Sequence, residues 1–290
     1  MKNKGFTLVE LLAVIVILAI ILIIAVPKIT GIISKTKYDA FVSSGEMFSK
    51  ATEKYLLNEG TIIEEGPPTP ISYVSVKTGN FISSIIDPID NSECTKSMID
   101  VTNINNVYSY TPKLLCTNYM SDQGWNMIQD FEVDANTDGI SDTLNTWGSG
   151  GFTLDDEEQS FTPEAIYSGM SYTFAPVADA VFYVSANIKT TDPALAVQFN
   201  LTHTGGPTYP DAGVISSNGE YVYASVRVDF SDYVSVTGSY ISIQTSSASN
   251  WQEITFKDLT FLNLTEMYGA GNEPQTKEEV DEIILNSRNE

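Results

Sequence analysis

Residues 4–27 read KGFTLVELLAVIVILAIILIIAVP. Within them Phe6 to Val26 form a run of 21 residues with one charge, Glu10. As a helix rising about 1.5 Å per residue, the run spans roughly 30 Å, the thickness of a bilayer core. Lys2 and Lys4 precede it, and the positive-inside rule keeps that end cytoplasmic and sends the rest of the chain outside. A cleavable secretory signal has a shorter apolar core followed by a small-residue cleavage site. Here the run ends instead at Val26-Pro27-Lys28. An acid inside a lipid-facing helix costs roughly 2.5–3.5 kcal/mol on insertion scales, so Glu10 marks a functional position.

The string Lys4-Gly5-Phe6-Thr7-Leu8-Val9-Glu10 resembles the leader-cleavage and methylation site of type IV prepilins and pseudopilins. The resemblance implies that a prepilin peptidase removes residues 1–5 by cutting after Gly5 and N-methylates Phe6. It also implies that residues 6–28 sit in the cytoplasmic membrane and later pack with other pilin subunits in a filament core. The freed amine of Phe6 can then lie beside Glu10 of a neighbouring subunit. Pairing makes a buried carboxylate tolerable and fixes register between otherwise apolar helices. Pro27 stands where helices of this family commonly carry a kinking proline. Losing Lys2 and Lys4 moves the net charge from −22 to −24.

The whole chain has 290 residues, which predicts two globular units or one large one. Its acidity argues against direct nucleic-acid binding, which needs a basic stripe to displace counterions. A single histidine, His203, excludes any metal site that needs two and leaves one candidate base for a catalytic triad. Only 18% of residues are charged, and Ser, Thr, Asn, Tyr and Gly are plentiful, a β-rich extracellular composition. The expected fold class is α+β: a long N-terminal helix with a small β-sheet head, followed by an antiparallel β-sandwich of jelly-roll type.

Phe41, Phe48 and Tyr55 recur every seven residues, so the helix continues amphipathically to Asn58 and stops at Glu59-Gly60. These aromatics are expected to pack on the head's own sheet, with a partner-binding stripe as the alternative. Strands are expected at Ser72–Lys77, Ser97–Thr102 and Val107–Thr111. The segment from Cys94 to Cys116 resembles the head of small pilins from Gram-positive bacteria. That resemblance implies a Cys94–Cys116 disulfide around a β-hairpin, permitted outside the membrane and worth about 3 kcal/mol. Residues 29–118 thus read as the helix continuation and head.

The segment Gln129–Trp147 resembles the first strand and turn of carbohydrate-binding β-sandwich modules. The segment Leu259–Pro274 resembles the closing motif of jelly-roll modules in phage tail and surface proteins of Gram-positive bacteria. Between them, strands are expected at Met170–Phe174, Ala180–Lys189, Ala194–Thr202, Tyr221–Phe230, Tyr240–Thr245 and Glu253–Asn263, with turn residues spaced as in a sandwich. Residues 119–273 therefore read as the sandwich. Residues 274–290 read as a C-terminal helix, Thr276–Leu285, and a tail.

Asp134, Asn136, Asp138, Ile140 and Asp142 match the first nine positions of a calcium loop, in which alternate oxygens curl around the ion and Gly139 allows the sharp turn. The twelfth position is Asn145 rather than a bidentate glutamate. The expectation is structural calcium; the alternative is a turn whose side chains bond their own backbone. Trp147, Tyr209 and Trp251 are the candidate sugar-binding aromatics, and His203 reads as a strand-end surface residue. Asp155-Asp156-Glu157-Glu158 reads as a solvated loop. No pair of carboxylates suggests a glycosidase cleft, so the chain is expected not to be an enzyme. The expected function is a minor or tip subunit of a pilus-like filament, exposed at the cell surface, whose sandwich binds a glycan or surface protein. The alternative is a pseudopilin of a secretion or DNA-uptake machine whose extra domain contacts cargo or machinery.

Overall fold

A computed structural model describes residues 8–128, 131, 133–155, 158–174, 179–191, 197–204, 217–230, 237–245 and 252–288. For residues 9, 10, 13, 22–32, 34, 122–123, 200–204 and 237–239 it describes the backbone alone. Gly5 and Phe6 lie outside the described residues, as does the side chain of Glu10. Packing divides the chain into two units: Met1–Tyr110 with Cys116–Ser121 and Ile283–Glu290, and Thr111–Leu115 with Asp122–Glu282. The sequence reading drew single cuts after residues 118 and 273, whereas the end of the chain packs with the first unit.

In the first unit, helix α1 (Leu8–Glu59) runs unbroken through Pro27. Leu8, Leu11, Leu12 and Val14 through Leu18 are exposed, as apolar residues without a partner helix must be. Among the described residues no helix is long and apolar enough to cross a membrane. The helix ends as expected at Gly60, whose φ of 64° is the left-handed conformation that stops a helix.

Phe41 and Phe48 are buried and Tyr55 is half-buried. Their aromatic partners come from outside the strands. Phe41 meets Tyr119 edge-on at 5.0 Å, Phe48 meets Tyr73 at 5.7 Å and Tyr55 meets Phe81 at 5.8 Å. The head is a three-stranded sheet in the order β1 (Thr69–Ser72), β2 (Met98–Ile104), β3 (Val107–Lys113). Asn105 and Asn106, both at positive φ, make the two-residue turn between β2 and β3.

The strand expected over Ser72–Lys77 is corrected: β1 ends at Ser72, and helix α2 (Tyr73–Thr78) follows. Ser72 caps it by accepting from Ser75 N, and Tyr73 and Val76, three apart, bury one face. An apolar pattern at positions 73, 74 and 76 serves either period, and the cap decides it. Cys94 and Cys116 are joined as a disulfide. Asp87, fully buried, holds the adjoining loops by accepting from the backbone N–H groups of Ile89 and Asn118.

The second unit begins with the short helix α3 (Asp122–Trp125) and continues with β4 (Asn145–Trp147), β5 (Ser149–Asp155), β6 (Glu158–Pro163), β7 (Gly169–Phe174), β8 (Val181–Thr190), β9 (Val197–Thr204), β10 (Val222–Asp229), β11 (Thr237–Thr245) and β12 (Ile254–Asn263). Helices α4 (Leu264–Tyr268) and α5 (Lys277–Arg288) follow. The strands form two sheets, β10-β8-β12-β6-β5 and β4-β7-β11-β9, with antiparallel pairing throughout the described registers. The core between them is aromatic. Phe261 stacks on Phe182 at 5.4 Å and meets Phe174 at 4.8 Å, while Phe161 packs on Phe256.

Three strands, β4, β5 and β6, were not expected. Of the acidic run read as a loop, Asp155 ends β5 and pairs with Glu158 at the start of β6; Asp156 and Glu157 lie outside the described residues. Strand β8 is buried on both faces. Its outer face is covered by the start of α5, where Asp281 accepts hydrogen bonds from Tyr183 and Ser225. The closing motif is a latch. Thr265 Oγ1 accepts from Val181 N and donates to Glu273, and Arg227 Nε donates to Pro274 O.

Candidate ligand-binding groove

The four strands of the β4-β7-β11-β9 sheet contain no Asp, Glu, Lys or Arg. Strand alternation divides their side chains between two faces. Met170, Phe174, Phe199, Ile241 and Ile243 point into the core. Ser171, Thr173, Gln198, Tyr240 and Gln244 take the alternate positions. With Asn145, Thr146, Trp147 and Tyr167 they line a groove of about 850 Å³. Its chemistry is three aromatic rings beside amides and hydroxyls. Rings give apolar area against C–H faces, and amides and hydroxyls both donate and accept. That combination suits a ligand that is a flat, polyhydroxylated chain.

Trp147 Nε1 donates to Tyr167 O. An indole has only that one polar hydrogen, so Trp147 is left to offer its ring. Within the polar floor, Ser242 Oγ donates to Gln244 Oε1 at 3.2 Å, and both residues are buried. Gly169 permits the close β7–β11 approach, since a Cβ there would stand 2.0 Å from Ile243 O.

Of the three aromatics singled out from the sequence, Trp147 lines the groove; Tyr209 and Trp251 lie outside the described residues. Tyr167 and Tyr240 were missed. The signal for Tyr240 was its alternation against Ile241 and Ile243. Tyr167 sits in a turn and follows no period. His203 lies in β9, described by its backbone only.

The Asp134–Asp142 loop lies next in the chain to β4. Asp134 is turned onto the loop's own backbone, accepting from Asp138 N at 3.2 Å and Gly139 N at 2.8 Å. Asn136 accepts from Asp138 N, Asp138 from Ile140 N, and Asp142 from Ala135 N. Asn136, Asp138, Ile140 and Asp142 line a polar hollow of about 280 Å³, which shares Asn145 and Thr146 with the groove. Among the described residues no three His, Cys, Asp or Glu side chains converge to hold a metal ion. The loop is held as a turn by side chain-to-backbone bonds.

Two comparisons with known proteins bear on the chain. Residues 1–26 match the prokaryotic N-terminal methylation motif. Solved structures similar to part of the chain include carbohydrate-binding modules. A xylan-binding domain from Paenibacillus barcinonensis is 10% identical, with 43% of this chain and 88% of that domain covered at a TM-score of 0.35. The second N-terminal cellulose-binding domain of a Cellulomonas fimi β-1,4-glucanase is also 10% identical, with 48% and 94% covered at 0.35. No curated protein matches the chain.

Proposed function

We propose that the chain is a minor subunit of a type IV pilus-like filament and that its second unit binds a glycan in the groove of the β4-β7-β11-β9 sheet. The methylation motif supports the first half. It supplies the cleavable leader, the methylated Phe6 and the apolar helix that anchors a subunit in the membrane before assembly. The observation that carries the second half is the groove itself, in which Trp147, Tyr167 and Tyr240 stand beside Gln198, Gln244, Ser171 and Thr173. A second unit larger than the pilin head crowds a helically packed array, which favours a minor place in it.

The test has two arms. Sheared surface filaments probed with antibody to the second unit should carry the subunit at low stoichiometry. Its retention in cell envelopes, with none in filaments, would favour the pseudopilin of a secretion or uptake machine. The full chain, purified in detergent, should quench its tryptophan fluorescence on titration with oligosaccharides, and Trp147→Ala should abolish that response. Binding unaltered by Trp147→Ala would remove the groove from the function.

A further inference from the structure

The turn between β6 and β7 holds a tyrosine where the backbone favours glycine. Tyr167 has a φ of 62°, the left-handed region that a bulky side chain enters only at a cost in backbone energy. The conformation is held from all sides. Tyr167 N donates to Thr245 O at 3.1 Å, and Thr245 N returns a bond to Ser168 O at 3.0 Å. Thr245 Oγ1 donates to Ala165 O, and Ala165 N donates to Ser168 Oγ. Glu164 N donates to Gly148 O, which ties the turn to the end of β4. Tyr167 O in turn accepts the indole N–H of Trp147. Tyr167, presented by this arrangement, is 54% exposed and stands in the groove wall.

A turn selected for stability alone would place glycine or asparagine at this φ. Tyr167 is exposed and takes no part in the hydrophobic core. We infer that Tyr167 is a ligand-stacking residue, held rigid by its strained backbone and coupled through its carbonyl to Trp147, so that the two rings form one preorganised clamp. This rests on the glycan-binding reading of the groove. Preorganisation matters because a ring already fixed in its bound position loses no rotamer freedom when the ligand arrives.

The experiment compares wild type, Tyr167→Gly, Tyr167→Phe and Trp147→Ala in the full chain, with cellohexaose, xylohexaose and chitohexaose as probes. Affinity is read by titration and stability by thermal melting. Tyr167→Gly relieves the backbone strain, so its melting temperature should hold or rise while its affinity falls about tenfold or more, the loss typical of truncating an aromatic anchor. Tyr167→Phe keeps the ring and should bind within about twofold of wild type. These opposite signs, stability held and affinity lost, are what a merely structural turn residue does not give. If Tyr167→Gly binds as wild type while Trp147→Ala does not, the groove stands and the role of Tyr167 is overturned. If Tyr167→Gly loses stability and affinity together, the tyrosine serves the fold and the inference is again overturned. If wild type binds none of the three probes, the groove reading fails and takes this inference with it.

Discussion

Gly139 and Tyr167 share the left-handed backbone for opposite reasons. At Gly139, φ is 80° and a Cβ would stand 2.6 Å from Phe152 O, so no other residue fits. The motif Asp-Gly announced that position in the sequence. At Tyr167 the backbone would accept glycine readily, and only the ring's outward task accounts for its presence. Asp134 works beside Gly139 as an internal brace. Asp134→Ala takes the acceptor from Gly139 N, leaves Asp138 N to Asn136 alone, and should lower the stability of the second unit by about 0.5–1.5 kcal/mol. Melting with calcium and with chelator tests the ion directly. Equal melting temperatures assign the loop to its own hydrogen bonds, and a higher one with calcium assigns it to the ion. A second residue-scale device lies in the head. Hydrogen bonds from Lys77 and then Tyr73 hold the Glu93 carboxyl below the usual carboxylate range. The bond to Glu93 pushes Lys77 above the usual lysine range. The Glu93 contribution is therefore present above its unfolded pKa of about 4.3 and lost as pH falls through the lower folded value. The Lys77 contribution is present below about 10.4 and lost as pH rises through the higher folded value. Thermal melts should show stability falling at both extremes, and Glu93→Gln should flatten both limbs.

At the scale of elements, the rest of the head depends on the aromatic ladder of α1. Phe48 is fully buried against Tyr73, so Phe48→Ala should cost about 3–5 kcal/mol, read by chemical denaturation. A stripe reserved for a partner would show far less. The seven-residue spacing made that ladder legible, but not its partners, because Tyr73, Phe81 and Tyr119 belong to no shared period. Strands β8, β10 and β12 were legible through their continuous or alternating apolar runs. Strands β4, β5 and β6 were not. Glycines at 150 and 151 and an acidic corner at 155–158 dilute the apolar signal, and only pairing with neighbouring strands settles those segments. Helix α5 was expected over Thr276–Leu285, and its Asp281 accepts from Tyr183 on β8 and Ser225 on β10. Asp281→Ala leaves those buried hydroxyls without their acceptor and should destabilise the sandwich by about 1–3 kcal/mol in the same assay.

At the scale of the molecule, the sequence spoke most clearly at its start, where glycine, phenylalanine, glutamate and the apolar run stand at fixed spacing. A bulky substitution of Gly5 should leave unprocessed precursor, visible as a band larger by the leader on an immunoblot. The disulfide closes the head alone. Reduction should therefore lower the stability of the first unit by about 3 kcal/mol while leaving binding in the groove unchanged. The groove itself was legible at one residue of its wall, Trp147. Its floor emerges only when β4, β7, β9 and β11 are laid side by side, since Ser171, Gln198 and Gln244 are unremarkable one at a time.

The absence of Asp, Glu, Lys and Arg from those four strands has a colloidal consequence. A chain of net charge −22 is surrounded by counterions and repels other acidic surfaces. A face without fixed charge releases no counterions when it is covered, so contact made there should be indifferent to salinity. Grip measured from fresh water to brine should stay constant.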